Sequence, residues 1–212
     1  MKKVILSFAL LISATCLFAQ SERFQKSMQA NIALLDSAKT PDDFTAVAAS
    51  FERIADAEKT QWLPYYYAAL ANIWKGFSDA KTDKDEVAGK ADALIAKAEA
   101  IDPKNSEIAL EKSMSATLHM LVDPQGRWQQ YGALVRTGME TAKQLDANNP
   151  RVYFWEGQNL FGTPTQFGGG KDKAKPLFEK SVALFKSSKP VSSLHPNWGL
   201  KSAEGMLEAC NK

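Results

Sequence analysis

Residues 174–185 read AKPLFEKSVALF, with a small residue at Ala174, a bulky one four positions on at Phe178 and a small one again at Ser181. Positions i, i+4 and i+7 fall on one face of an α-helix. Small residues there let a second backbone come close, and the bulky one fills the gap between the two helices. A small or apolar residue followed by a bulky one at the same spacing returns in Val47, Phe51 and Ile54, in Ala91, Ile95 and Ala98, and in Val135, Met139 and Ala142. The four central residues lie 44, 44 and 39 positions apart. The segments before the last three copies carry Tyr67 and Ala71, Ala109 and Ser113, and Tyr153 and Gly157, again with a small residue closing a step of four. A period near forty built from two helices describes an array of helical hairpins.

Helix signals fill the rest of the chain. Thr40 suits an N-cap, Pro41 the first helical position, and Asp42 and Asp43 the positive end of the helix dipole. The same start recurs at Asp123–Pro124, at Asn149–Pro150 and at Pro196 in HPNWG. No run alternates as a strand would, so the class is all-α, with nine helices at roughly 22–38, 41–58, 62–78, 85–101, 105–122, 124–147, 150–161, 171–187 and 196–210. Short connections make neighbours antiparallel.

AKAEAIDPKN (96–105), YFWEGQNL (153–160) and AKPLFEKSVALF resemble the end, first helix and second helix of a tetratricopeptide repeat. The period alone also fits a HEAT-like array, but the Ala-x-x-x-Phe order favours the tetratricopeptide reading. The resemblance covers about residues 41–187 and implies a right-handed solenoid of antiparallel hairpins, with a capping helix at about 196–210 around Trp198. WLPYYYAAL and TPTQFGGGKDKA…HPNWG also resemble exported tetratricopeptide-like proteins of Gram-negative bacteria, which implies a compartment and no reaction.

The first residues read MKKVILSFALLISATCLFAQ. Two lysines, a short apolar run and Leu17 and Ala19 before Gln20 form a signal peptide over 1–19, and the run is shorter than the ~20 residues of a membrane span. A lipoprotein anchored on Cys16 is the less favoured alternative. Residues 20–212 then form a single domain, exported and expected to be periplasmic, with no membrane span. Of 26 basic residues Lys2 and Lys3 leave with the leader, so 24 face 24 acidic ones. That balance gives no electrostatic case for nucleic acid. Cys210 alone remains of two cysteines, which excludes an internal disulfide and a cysteine-rich zinc site.

Catalytic patterns are missing. In TQFGGGK (165–171) Thr165 stands where a P-loop needs its first glycine, Asp172 follows Lys171, and no strand precedes. The glycines read as a joint that folds the last hairpin back. His119 and His195 have no second metal ligand at helical spacing, and SDAKTDKDE lacks the glycine and distal glutamate of a calcium loop. His119 reads as a helix-boundary residue and His195 as a turn. No cofactor, metal or enzymatic activity is expected. Three consecutive tyrosines, Tyr65, Tyr66 and Tyr67, span about 200° of a helix, so one is expected to leave the core face.

The resemblance implies a concave groove lined by the first helix of each hairpin. Carried over by position, its lining is Tyr65, Asn72 and Lys75, then Glu107 and Met114, then Arg151 and Gln158. The function expected is non-catalytic binding: a scaffold for a protein or peptide partner, or for a small ligand. The alternative is a ligand-handling accessory subunit of a solute transporter, similar to the T-components of TRAP systems. An open groove favours the first and a closed apolar cavity the second.

Overall fold

The computed structural model describes residues 22–212, so the expected leader and its cleavage point lie outside the described residues. Among them are nine α-helices and no strand: α1 (22–37), α2 (Pro41–Ala57), α3 (Trp62–Ser78), α4 (Lys84–Ile101), α5 (Ser106–Val122), α6 (Pro124–Leu145), α7 (Pro150–Gly162), α8 (Lys171–Ser187) and α9 (Leu200–Cys210). A single 3₁₀ turn, Thr165–Phe167, lies between α7 and α8.

The starts follow the expected chemistry. At α2 the Thr40 hydroxyl accepts from the Asp43 amide at 3.2 Å, and the Asp43 carboxylate accepts from the Thr40 amide at 2.9 Å. This reciprocal pair satisfies two amides that a helix start otherwise leaves free. Asp83, Asn105, Asp123 and Asn149 cap α4 to α7, each through its side chain accepting from a backbone amide of the first turn. The last helix departs from the expected 196: it begins at Leu200. Gly199 adopts φ 115°, and a Cβ there would lie 2.7 Å from the Phe185 ring. Pro196 therefore signals a helix that Gly199 delays, and HPNWG runs as an open segment.

The repeated triplets pack as their spacing requires. All members are buried except Ile54, which is half-buried. At Gly157 a Cβ would sit 2.7 Å from the Phe178 ring, which is why a small residue belongs there. Consecutive helices α2 to α6 pack together around a large core that includes Phe51, Tyr66, Ile73, Ile95 and Met114. Helices α7, α8 and α9 close a smaller one around Phe154, Phe178 and Ala203. Trp198 packs against both cores.

All three consecutive tyrosines are buried, against the expectation that one would leave the core. Helix α3 has α2 on one side, α4 and α5 on others, and the open segment before α9 across the remainder. The glycine stretch is a joint as expected. Gly168 and Gly170 have φ of 85° and 108°, and the Gly168, Gly169 and Gly170 amides donate inward to Thr165, Pro164 and Leu160. Those amides are committed to the loop itself.

Candidate functional site

A groove of about 560 Å³ opens between α1, α3, α7 and the segment 188–199. Small-molecule sites occupy about 300–1,000 Å³, usually with apolar walls and a few polar groups. The walls here are Tyr67, Trp74, Phe77, Phe154 and Trp198, with Ile32 and Leu35 from α1. The Trp74 and Trp198 rings meet edge to face at 5.3 Å. Asp36, Gln158, Ser193, His195 and Asn197 supply polar groups, and no lysine or arginine is among the described residues that line it.

His195 sits in a turn, as the sequence suggested. Its Nδ1 lies 2.8 Å from the Ser192 hydroxyl, and its ring meets Trp62 at 5.8 Å. Burial pushes its pKa down, with the Glu107 charge opposing, so the imidazole is neutral at pH 7. Burial likewise raises the Asp36 carboxyl.

Behind the aromatic wall lies a buried ionic cluster. Arg151 donates to both carboxylate oxygens of Glu107, from Nε at 2.8 Å and from Nη2 at 2.5 Å. Asn149 donates to the same carboxylate at 2.7 Å and to Ser106 at 3.0 Å. The Tyr66 hydroxyl donates to Glu107 at 3.4 Å and accepts the Trp198 indole N–H at 2.8 Å. Burial opposes the charge on Arg151, but Glu107 more than restores it and its pKa is raised. Burial, together with Glu107 and Glu111, holds the Tyr66 hydroxyl protonated.

Of the residues assigned to a groove from sequence, Gln158 lines this one. Glu107 and Arg151 face each other behind its wall. Tyr65 and Asn72 are buried, with side chains donating to the Ala55 and Ala68 carbonyls, and Met114 is fully buried. Lys75 is half-buried at the end of α3. Sequence reasoning missed Trp74, Phe77, Phe154 and Trp198 as wall residues. Trp198 had a signal, an aromatic between a proline and a glycine, but the residues facing it are remote in the chain.

A second trough of about 520 Å³ lies between α4, α5 and α6. At one end His119 is held from both sides, Nδ1 at 2.7 Å from Asp85 and Nε2 at 3.1 Å from Asp92, with Tyr131 stacked at 5.0 Å. Arg127 also binds Asp85, and its hydrogen bond, followed by that of His119, draws the Asp85 pKa down to about 2. The boundary residue of the sequence is thus a clasp across three helices. Among the described residues no group of His, Cys, Asp and Glu is arranged to hold a metal ion, and no helix is long and apolar enough to cross a membrane.

No protein-family model matches the chain. No curated protein matches it either. Among solved structures it is similar to the HusA haemophore from Porphyromonas gingivalis, with 38% identity over 88% of this chain and 92% of that one, and a TM-score of 0.80. With identity, coverage and structural similarity of that extent, the chain belongs to the family of the HusA haemophore.

Proposed function

We propose that this chain is a non-catalytic haem-binding protein that takes the flat macrocycle into the groove between α1, α3, α7 and the segment 188–199. The observation that carries the reading is the wall itself: six aromatic side chains, Phe44 of α2 among them, converge on a cavity of small-ligand size. Aromatic faces stack on a flat π-system and bury much area at small entropic cost. The similarity to a haemophore supplies the ligand class. Haem carries two carboxylates, and a groove without lysine or arginine leaves them at the mouth, in water. A small ligand fits this space better than the peptide or protein partner also considered from sequence.

The remaining expectations are proposed with it. The helices form a tetratricopeptide-like solenoid in a single domain over 20–212, and residues 1–19 are a cleaved signal peptide that delivers the protein to the periplasm. Export suits a protein that meets haem outside the cytoplasm.

The test is titration of haemin into the full chain, followed in the Soret band. Saturation at one equivalent is expected, and Trp74→Ala should weaken it about tenfold or more, because a large stacked surface is lost. A Soret band that never saturates, or that saturates equally in Trp74→Ala, would overturn the assignment. Repeating the titration with metal-free protoporphyrin and with His195→Ala separates contact with the ring from contact with iron.

A further inference from the structure

Trp198 forms a wall of the groove yet belongs to no helix. The segment that carries it, 188–199, has little regular backbone bonding: His195 donates to the Ser192 carbonyl, and Gly199 opens α9 in a left-handed conformation. Side chains from the first half of the protein fasten it instead. The Tyr67 hydroxyl donates to the Leu194 carbonyl at 2.9 Å, and the Tyr66 hydroxyl takes the Trp198 indole N–H at 2.8 Å. The Arg151 guanidinium lies 5.8 Å from the centre of the Trp198 ring and 5.8 Å from that of Phe185. Tyr66 and Arg151 both bind the one carboxylate of Glu107.

We infer that the buried Glu107–Arg151–Tyr66 cluster is the positioning device of the groove: it fixes the orientation of Trp198, and so the affinity for a flat ligand, without touching the ligand. The inference rests on the macrocycle reading above. Trp198 is half-buried, and its indole N–H finds an acceptor inside the protein. Tyr66 provides it and in turn needs an acceptor of its own, which Glu107 provides. The ion pair that anchors this chain is a poor choice for stability alone, since apolar residues of similar volume often do as well or better. What it adds is direction. Bidentate guanidinium–carboxylate geometry has one preferred arrangement; Asn149 adds a further hydrogen bond to the same carboxylate, and the one from Tyr66 passes the direction on to the indole.

Tyr66→Phe tests this most cleanly. The ring stays packed, edge to face with Trp62 at 5.6 Å and Tyr67 at 5.1 Å, and only the hydroxyl is lost. Tyr153→Phe is the matched control: it also removes a buried tyrosine's hydroxyl, which bonds to the Ala147 carbonyl at 2.8 Å and not to the cluster. Two readouts are needed, both on the full chain. The first is haemin affinity, expected to fall about tenfold in Tyr66→Phe and to stay within about twofold in Tyr153→Phe, as one lost hydrogen bond accounts for about that factor. The second needs no ligand: hydrogen exchange of the Leu194 and His195 amides, both bonded to Ser192, should quicken about tenfold in Tyr66→Phe and Glu107→Gln, and not in Tyr153→Phe. Unaltered exchange in Tyr66→Phe overturns the positioning role whatever binds. Faster exchange with unaltered haemin affinity overturns the link between Trp198 and binding. If the unmodified chain takes up no haemin while exchange quickens as expected, the macrocycle reading fails and the ordering of Trp198 by the cluster stands.

Discussion

Glu111 is fully buried on α5, and neither of its carboxyl oxygens has a hydrogen-bond partner among the described residues. Burial, and then the nearby Glu107 charge, raise its pKa well above 4.5, so folding favours its protonated form. The unfolded chain ionises this group near 4.5, whereas the folded chain keeps the proton. Above that pH the unfolded state therefore gains free energy that the folded state does not share, and stability falls as pH rises. Glu111→Gln removes the titration and keeps the shape. Melting temperatures of the two proteins should lie close together at pH 4.5, with the variant increasingly the more stable towards pH 8; a gap that is the same at both pH values would mean a charged Glu111. Legibility at this scale was mixed. Tyr66 and Tyr67 sit in a run whose angular spread is plain from sequence, but their burial depends on a segment about 130 residues away. Glu107 and Arg151 were picked out singly as groove positions. Opposite charges 44 residues apart, each at the second position of its helix, α5 and α7, were a signal that they face each other.

The element that tests the joint between α7 and α8 is Gly169. The positive φ angles of this joint belong to its neighbours Gly168 and Gly170. Gly169 is constrained by space instead, since a Cβ would press on the Thr163 carbonyl and lie 2.6 Å from the Leu160 carbonyl. Gly169→Val should thus cost ~1–3 kcal/mol in urea unfolding, the range for overpacking a filled site. Lys171→Ala should stay within about 0.5 kcal/mol, as at most surface positions. Equal losses in the two would contradict a steric role for the glycine. Helix starts were the most readable elements because a cap is local: Thr40, Asp123 and Asn149 act within three residues of themselves. The start of α9 was not readable in that way, because its position depends on Gly199 fitting against Phe185 of α8.

Across the described residues, the buried apolar side chains divide into a large core under α1 to α6, which also takes in Val152 and Trp155 of α7, and a small one under α7, α8 and α9, with Trp198 touching both. Fewer buried contacts mean a lower free energy of opening. Native-state hydrogen exchange should show the amides of α8 and α9 opening before those of α3 and α5. Phe178→Ala, at a cost of ~3–5 kcal/mol, should widen that difference by loosening the small core selectively. A single common opening energy in both proteins would show that the two cores act as one. The helical class was readable from periodicity, whereas the groove was not, because its walls come from α1, α3, α7 and the segment before α9. Gln29 in α1 reaches Ser193 at 3.3 Å, and Tyr67 holds the Leu194 carbonyl. Early and late stretches of the described chain therefore share one wall. A chain halted before residue 198 has the tryptophans of α3 but no complete cavity, so the groove is finished only once nearly all of the described chain has been made.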